Sequence, residues 1–264
     1  MPTWGIAVVF LLLAGCASHG DRVDRLAVEL GLTKRWVPSD PVPLVAYRNA
    51  SDQPSGRLHV YLEGDGTPWL TRSRVSPDPT PRNPLALELM ALDPAPSLYL
   101  ARPCYNGTAD TAGCHPWYWT TGRYSEPVLA SLATALRRVI DAEAVTELVL
   151  IGYSGGGVLA WLLAQRIPET RALVTVAANL DINAWTDLHG FSPLWDSLNP
   201  AEGPPLSSSV EQWHLVGERD QEVPPSIIAS LRELVGPAAR VLVMASDHRC
   251  CWAKFWPEVL RQLP

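Results

Sequence analysis

Leu148-Val149-Leu150-Ile151-Gly152-Tyr153-Ser154-Gly155-Gly156-Gly157 decides how this chain is read. The apolar residues 148–151 predict a short buried strand, and the stretch that follows the glycines, residues 158–165, predicts a buried helix. A strand that passes at once into a helix crowds the turn between them. Glycine at positions 152 and 156 lets the two elements pass closely, and Ser154 is left in a strained conformation with its hydroxyl above the sheet edge. Gly-x-Ser-x-Gly standing alone is a common glycine-rich turn. Set between a predicted strand and a predicted helix, it presents a hydroxyl for chemistry.

The amino-terminal residues predict where that hydroxyl works. Residues 6–13 form an apolar stretch too short to span a bilayer, which suits the core of an export signal. It runs into Leu13-Ala14-Gly15-Cys16, which resembles the bacterial lipobox, although no Lys or Arg precedes the apolar core. The resemblance implies that residues 1–15 are removed and that Cys16 is acylated, with a palmitate-type chain, and becomes the first mature residue. Ala17 rather than aspartate follows the cysteine, which implies sorting to the outer membrane, facing the periplasm. An ordinary secretory signal is the alternative, and export is expected on either reading.

Removing the signal leaves roughly 250 residues, the size of one α/β domain. The expected divisions are an anchor and lead segment at 16–41 and a main domain at 42–264. The formal net charge is −6 and basic residues do not cluster, so no nucleic-acid partner is expected. Beyond Cys16 the cysteines are Cys104, Cys114, Cys250 and Cys251, an even number that suggests disulfides in an exported chain. Pairing Cys104 with Cys114 closes a loop containing Asn106-Gly107, and leaves Cys250–Cys251 as a vicinal bridge or two free thiols; crossed pairing is the alternative. The spacing lacks a C-x-x-C pair, so no metal is expected.

Residues 22–40 read as a short helical lead with a proline-rich exit, and 71–84 as a loop. Strands are expected at 44–48, 58–62, 97–101, 172–177, 212–216 and 241–245, and helices at 85–91, 124–142, 227–235 and 251–263. Residues 179–210 lack a clear period and read as an irregular insert. Strands alternating with helices predict a mainly parallel sheet covered on both faces, with ligands at the carboxyl ends of its strands.

On the strand–serine–helix run the chain resembles an α/β-hydrolase, from about residue 42 to 262. The fold class this implies is α/β: the α/β-hydrolase fold, a mainly parallel central sheet with helices on both faces and a small cap insert at about 179–210. That family orders its residues nucleophile, acid, histidine. Ser154 fills the first place. Asp220, in Leu215-Val-Gly-Glu-Arg-Asp220-Gln-Glu-Val-Pro224, resembles the family's acid loop, and His248 lies directly beyond the last predicted strand. His248 would take the serine proton, and Asp220 would hold the imidazole tautomer. Glu222, Glu218 and Asp181 are the fallback acids. His59 and His214 fall within strands, and His115 and His189 in irregular segments, so these four read as packed or solvated.

Acyl transfer also needs donors for the developing oxyanion. Gly155 supplies one backbone amide. Glu63-Gly64-Asp65-Gly66 resembles the family's oxyanion loop with Glu63 in place of histidine, so Asp65 or Gly64 is the expected second donor. Arg102 and Arg123, flanking the cysteine loop, are candidates to bind a substrate carboxylate or phosphate. Trp185, Phe191 and Trp195 read either as core-capping residues or as an aromatic pocket.

These residues predict a serine hydrolase of the cell envelope that cleaves a carboxylic ester, of a small molecule or a lipid, through an acyl-serine intermediate and without a cofactor. Its membrane contact would be the acyl anchor. An acyltransferase using the same three residues, and a silent binding lipoprotein on the same scaffold, are the alternatives. Acyl-chain length and oligomeric state are not legible from the chain.

Overall fold

The computed structural model describes residues 18–51, 56–229 and 232–263. Cys16 and the expected signal at 1–15 lie outside the described residues. Helix α1 (His19–Glu29) opens with a capping box, in which Ser18 and Asp21 bond each other's backbone amides. Strand β1 (Thr33–Val37) follows, then β2 (Leu44–Arg48) and β3 (Arg57–Leu62). A small hairpin, β4 (Trp69–Thr71) and β5 (Arg74–Val75), precedes α2 (Leu85–Met90) and β6 (Ser97–Leu100). A 3-10 turn at Pro116–Trp119 leads to α3 (Glu126–Glu143), β7 (Glu147–Tyr153), α4 (Gly155–Ala164) and β8 (Thr170–Val176). Helix α5 (Ile182–His189) precedes β9 (Glu211–Gly217), α6 (Pro225–Ala229), α7 (Arg232–Val235), β10 (Arg240–Met244) and α8 (Trp256–Gln262).

Eight strands form one sheet in the order β1-β2-β6-β3-β7-β8-β9-β10. From β6 to β10 every neighbouring pair is parallel, while β2 runs antiparallel to both β6 and β1. Period-2 alternation splits each central strand between two cores. Leu58, Val60, Leu62, Leu148 and Leu150 face α3 and α4, whereas Tyr61, Val149, Ile151 and Tyr153 face α1, α2 and α8. The inner strands are buried on both faces, which is why 148–151 is apolar without alternation.

Three expectations are corrected. The sheet begins at Thr33, earlier than the expected 42–264 span: β1 pairs with β2 inside what reads as a lead segment. Its burial pattern leaves only Val37 inside, so an edge strand here shows no alternation of apolar residues. Part of the 71–84 stretch belongs to the β4–β5 hairpin. The 179–210 insert is not wholly irregular, since α5 is capped by Asp181 at its start and by Gly190 in the left-handed region at its end.

Candidate active site

The parallel strands bring their carboxyl ends to one edge of the sheet, and the singled-out residues emerge there. Ser154 sits between β7 and α4 at φ 50°, ψ −125°, a strained conformation for a residue with a side chain. The crowding behind it is visible at its flanks. A Cβ at Gly152 would collide with the Gly156 backbone, and one at Gly156 with the carbonyls of Leu62 and Glu63.

Asp220 follows β9 and His248 follows β10. His248 Nε2 lies 3.1 Å from Ser154 Oγ, and His248 Nδ1 lies 2.9 Å from Asp220 Oδ2. A carboxylate only accepts, so the Asp220 contact puts the ring proton on Nδ1 and leaves Nε2 free to accept from the serine hydroxyl. The other oxygen, Asp220 Oδ1, accepts from the amides of Glu222 and Val223, each at 2.8 Å. Asp220 and His248 are both buried. The imidazole packs 5.2 Å from the Tyr153 ring, and its backbone carbonyl accepts from Trp252 Nε1. Such a chain can carry a proton from Ser154 to His248 while Asp220 steadies the charge left behind.

Among the described residues no fallback acid is paired with His248 Nδ1. Asp181 caps α5, accepting from Ala184. Glu222 reaches toward the other ring nitrogen, 3.6 Å from His248 Nε2, and is paired with Arg249 at 3.4 Å. Its carbonyl accepts from Trp185 Nε1 at 2.9 Å and from His189 Nε2 at 2.8 Å, so α5 is tied to the loop that carries Asp220. Trp195 is 77% exposed. His59 and His214 are buried in their strands, on Asp93 and Thr175 respectively. His115 caps the 3-10 turn.

The loop after β3 passes directly over the serine: a Cβ at Gly64 would stand 3.4 Å from Ser154 Cβ. Of the two amides expected as second donor, that of Gly64 is already used, because it donates to Glu63 Oε1 at 3.0 Å. The amides of Asp65 and Gly155 carry no partner among the described residues. Glu63 is itself buried, with Oε2 accepting from Ala86 at the start of α2. Burial pushes its carboxyl up to about 7, against the amides of Gly64, Ala86 and Leu87 and the charge of Arg102.

Arg102 and Arg123 are not open to a substrate anion. Both are buried, and their anion is Asp65: Arg102 lies 2.9 Å from Oδ1 and Arg123 2.7 Å from Oδ2. Tyr124 Oη donates to the same carboxylate at 2.8 Å, and Tyr105 Oη to the Asp65 carbonyl at 3.0 Å. Burial alone would raise the Asp65 carboxyl, but the charges of Arg123 and Arg102 outweigh it and hold the pKa below the ordinary value. No local run of sequence pairs these residues with Asp65. The available signal was position, since Arg102 leaves the carboxyl end of β6, on the same edge as Ser154.

The cysteines pair as Cys104–Cys114 and Cys250–Cys251, the second bridge lying just beyond His248. Among the described residues no group of His, Cys, Asp and Glu is arranged to hold a metal ion.

No protein-family model matches the chain, and no curated protein sequence matches it. Solved structures do. An esterase of Pyrococcus furiosus superposes with a TM-score of 0.61 at 13% identity, over 89% of this chain and 92% of that one. A lidless α/β serine hydrolase of Xanthomonas campestris gives 0.57 at 13% identity, over 88% and 95%. An α/β serine hydrolase homologue from Coxiella burnetii gives 0.55 at 12% identity, over 88% and 97%. With its sheet order and its helices on both faces, the chain has the α/β-hydrolase fold.

Proposed function

We propose that this protein is a serine hydrolase that cleaves a carboxylic ester through an acyl-Ser154 intermediate. The observation that carries the reading is the continuous run Ser154 Oγ, His248 Nε2, His248 Nδ1, Asp220 Oδ2, with links of 3.1 and 2.9 Å at a strained serine. Ser154 attacks the ester carbonyl as His248 Nε2 takes its proton. The tetrahedral oxyanion is received by the amides of Gly155 and Asp65, and His248 returns the proton to the leaving alcohol. Water, activated by the same imidazole, then releases the acid. The names of the structural neighbours, esterase and serine hydrolase, support the reaction class and a small-molecule ester as substrate.

The residues ahead of α1 support a place for this chemistry in the bacterial envelope, with Cys16 acylated and the protein held on the outer membrane. A fluorophosphonate probe tests the reaction: it should label wild type and not Ser154→Ala. Labelling that survives Ser154→Ala, or is missing from wild type, overturns the assignment. Transfer of the acyl group to an added alcohol in preference to water would mark an acyltransferase instead. For the anchor, Cys16→Ser should abolish acylation and leave the protein uncleaved or released from the membrane fraction.

A further inference from the structure

The edge that carries Ser154 also carries a cationic, apolar hairpin. Trp69 and Leu70 in β4 are each 38% exposed, and Arg72, Arg74 and Arg82 beside them are exposed with no acidic partner among the described residues. Farther along the same edge, in the segment between β8 and β9, Phe191, Trp195 and Leu198 are exposed. The two regions are bridged: Trp119 Nε1 donates to the Ser76 carbonyl behind the hairpin, and Trp117 Nε1 donates to Asp196 beside Trp195. A chain of net charge −6 that gathers unpaired arginines next to exposed aromatic side chains has built a surface for an anionic, amphiphilic partner.

The start of α1 says what that partner is. Gly20 packs against Gly107, so closely that a Cβ at Gly20 would stand 2.7 Å from the Gly107 nitrogen. Asn106 donates its amide to Thr80 Oγ1 at 2.7 Å, Thr80 donates its own to Asp78, and Ser76 Oγ donates to the Asp78 carbonyl. Four residues before Gly20 stands Cys16. The chain therefore enters the folded part beside the hairpin, on the serine's edge, and too few residues separate Cys16 from α1 for an acyl anchor to reach the opposite edge.

We infer that the hairpin Trp69–Val75, with Trp195, docks onto an anionic lipid surface and turns the sheet edge that carries Ser154 toward the bilayer. The esters it meets are then those of membrane lipids, held at headgroup depth. Tryptophan at that depth and arginine against anionic headgroups are the side chains such contact selects. This rests on the reading of Cys16 as acylated and of Ser154 as the nucleophile.

The test uses the acylated full-length product, reconstituted in vesicles of phosphatidylcholine with about one fifth phosphatidylglycerol. With lipids brominated near the headgroup, tryptophan fluorescence should be quenched, and Trp69→Phe with Trp195→Phe should remove most of that quenching. Quenching that is absent, or unchanged in the double variant, overturns the docking surface. Arg72→Glu with Arg74→Glu should lower turnover of a vesicle-embedded ester about tenfold at low salt, with the gap closing as salt rises. Turnover of soluble nitrophenyl acetate should not move; equal loss on both esters, or on neither, also overturns the proposal. Mass analysis of the N-terminal peptide reports acylation and fluorophosphonate labelling reports the serine, so failure of either underlying reading shows separately from failure of the surface.

Discussion

Gly155 faces the carboxylate of Asp65 so closely that a Cβ at position 155 would overlap Asp65 Oδ1 and Tyr124 Oη. The two residues whose backbone amides carry no partner among the described residues are thus packed against each other. One is fixed by the turn into α4, and the other by two arginines and two tyrosines. If these amides receive the oxyanion, as proposed, they require no rearrangement when charge develops on the substrate.

Gly155→Ala should therefore damage function beyond its effect on the turn. The methyl group has to displace the Asp65 carboxylate from Arg102 and Tyr124. Turnover should fall by about 10²–10³, the loss associated with one oxyanion donor, and urea should unfold the variant about 1–3 kcal/mol earlier, as for overpacking. Steady-state kinetics with a chromogenic ester and a denaturation curve check both. Wild-type turnover would mean that the Asp65 amide takes no part.

Ser154→Ala and His248→Ala should each lower ester turnover by several orders of magnitude with the fold intact, and the double variant should be little worse than either. Additive losses would show that they do not act as a unit. Asp220→Asn should lower turnover by about 10⁴, because an amide cannot hold the same imidazole tautomer. Near-normal activity there would show that the contact of Asp220 with His248 Nδ1 does not set the tautomer.

How much of this was legible in the chain depends on how local each signal is. The strand–serine–helix run, the order of strands and helices, and the positions of Ser154, Asp220 and His248 follow from short runs of adjacent residues. Strand β1 was missed because Thr33-Lys34-Arg35-Trp36 is exposed throughout and carries no buried face. Helix α5 had its signals, Asp181 and Gly190, but only Ile182 and Thr186 are buried, too few to set a period. The partners of Glu63 and Asp65 were out of reach for another reason. Ala86, Arg102, Arg123 and Tyr124 stand 23 to 59 positions away and meet the loop only through the sheet topology.

Asp65→Ala should be among the most destabilising single changes in the protein. It strips the anion from two buried guanidinium groups, and breaking a buried ion pair from one side costs about 3–5 kcal/mol. Asp65→Asn keeps the size and part of the hydrogen bonding, so it should fold better than the alanine variant while remaining less active than wild type. The native contribution of Asp65 has a definite pH sense. Its folded pKa is depressed, so the stabilisation is complete above the unfolded value of about 3.8 and is lost as pH falls through the lower folded value. Acid titration of the urea midpoint should show that loss in wild type and not in Asp65→Asn.

Glu63 should show the opposite sign. Its carboxyl is buried, and burial raises its folded pKa to about 7 from an ordinary 4.5. Between those values the folded chain binds a proton that the unfolded chain does not, so stability falls as pH rises through that window and is level above it. Glu63→Gln keeps the shape without the ionisation. The stability of wild type relative to Glu63→Gln should decline between pH 4.5 and 7, by on the order of 3 kcal/mol at about 1.4 kcal/mol per pH unit. Urea midpoints measured for both proteins across that range give the difference directly. A difference that stays flat would show that the amides of Gly64 and Ala86 fully offset the penalty of burial, and one that grows in favour of wild type as pH rises that they outweigh it; either overturns the raised carboxyl.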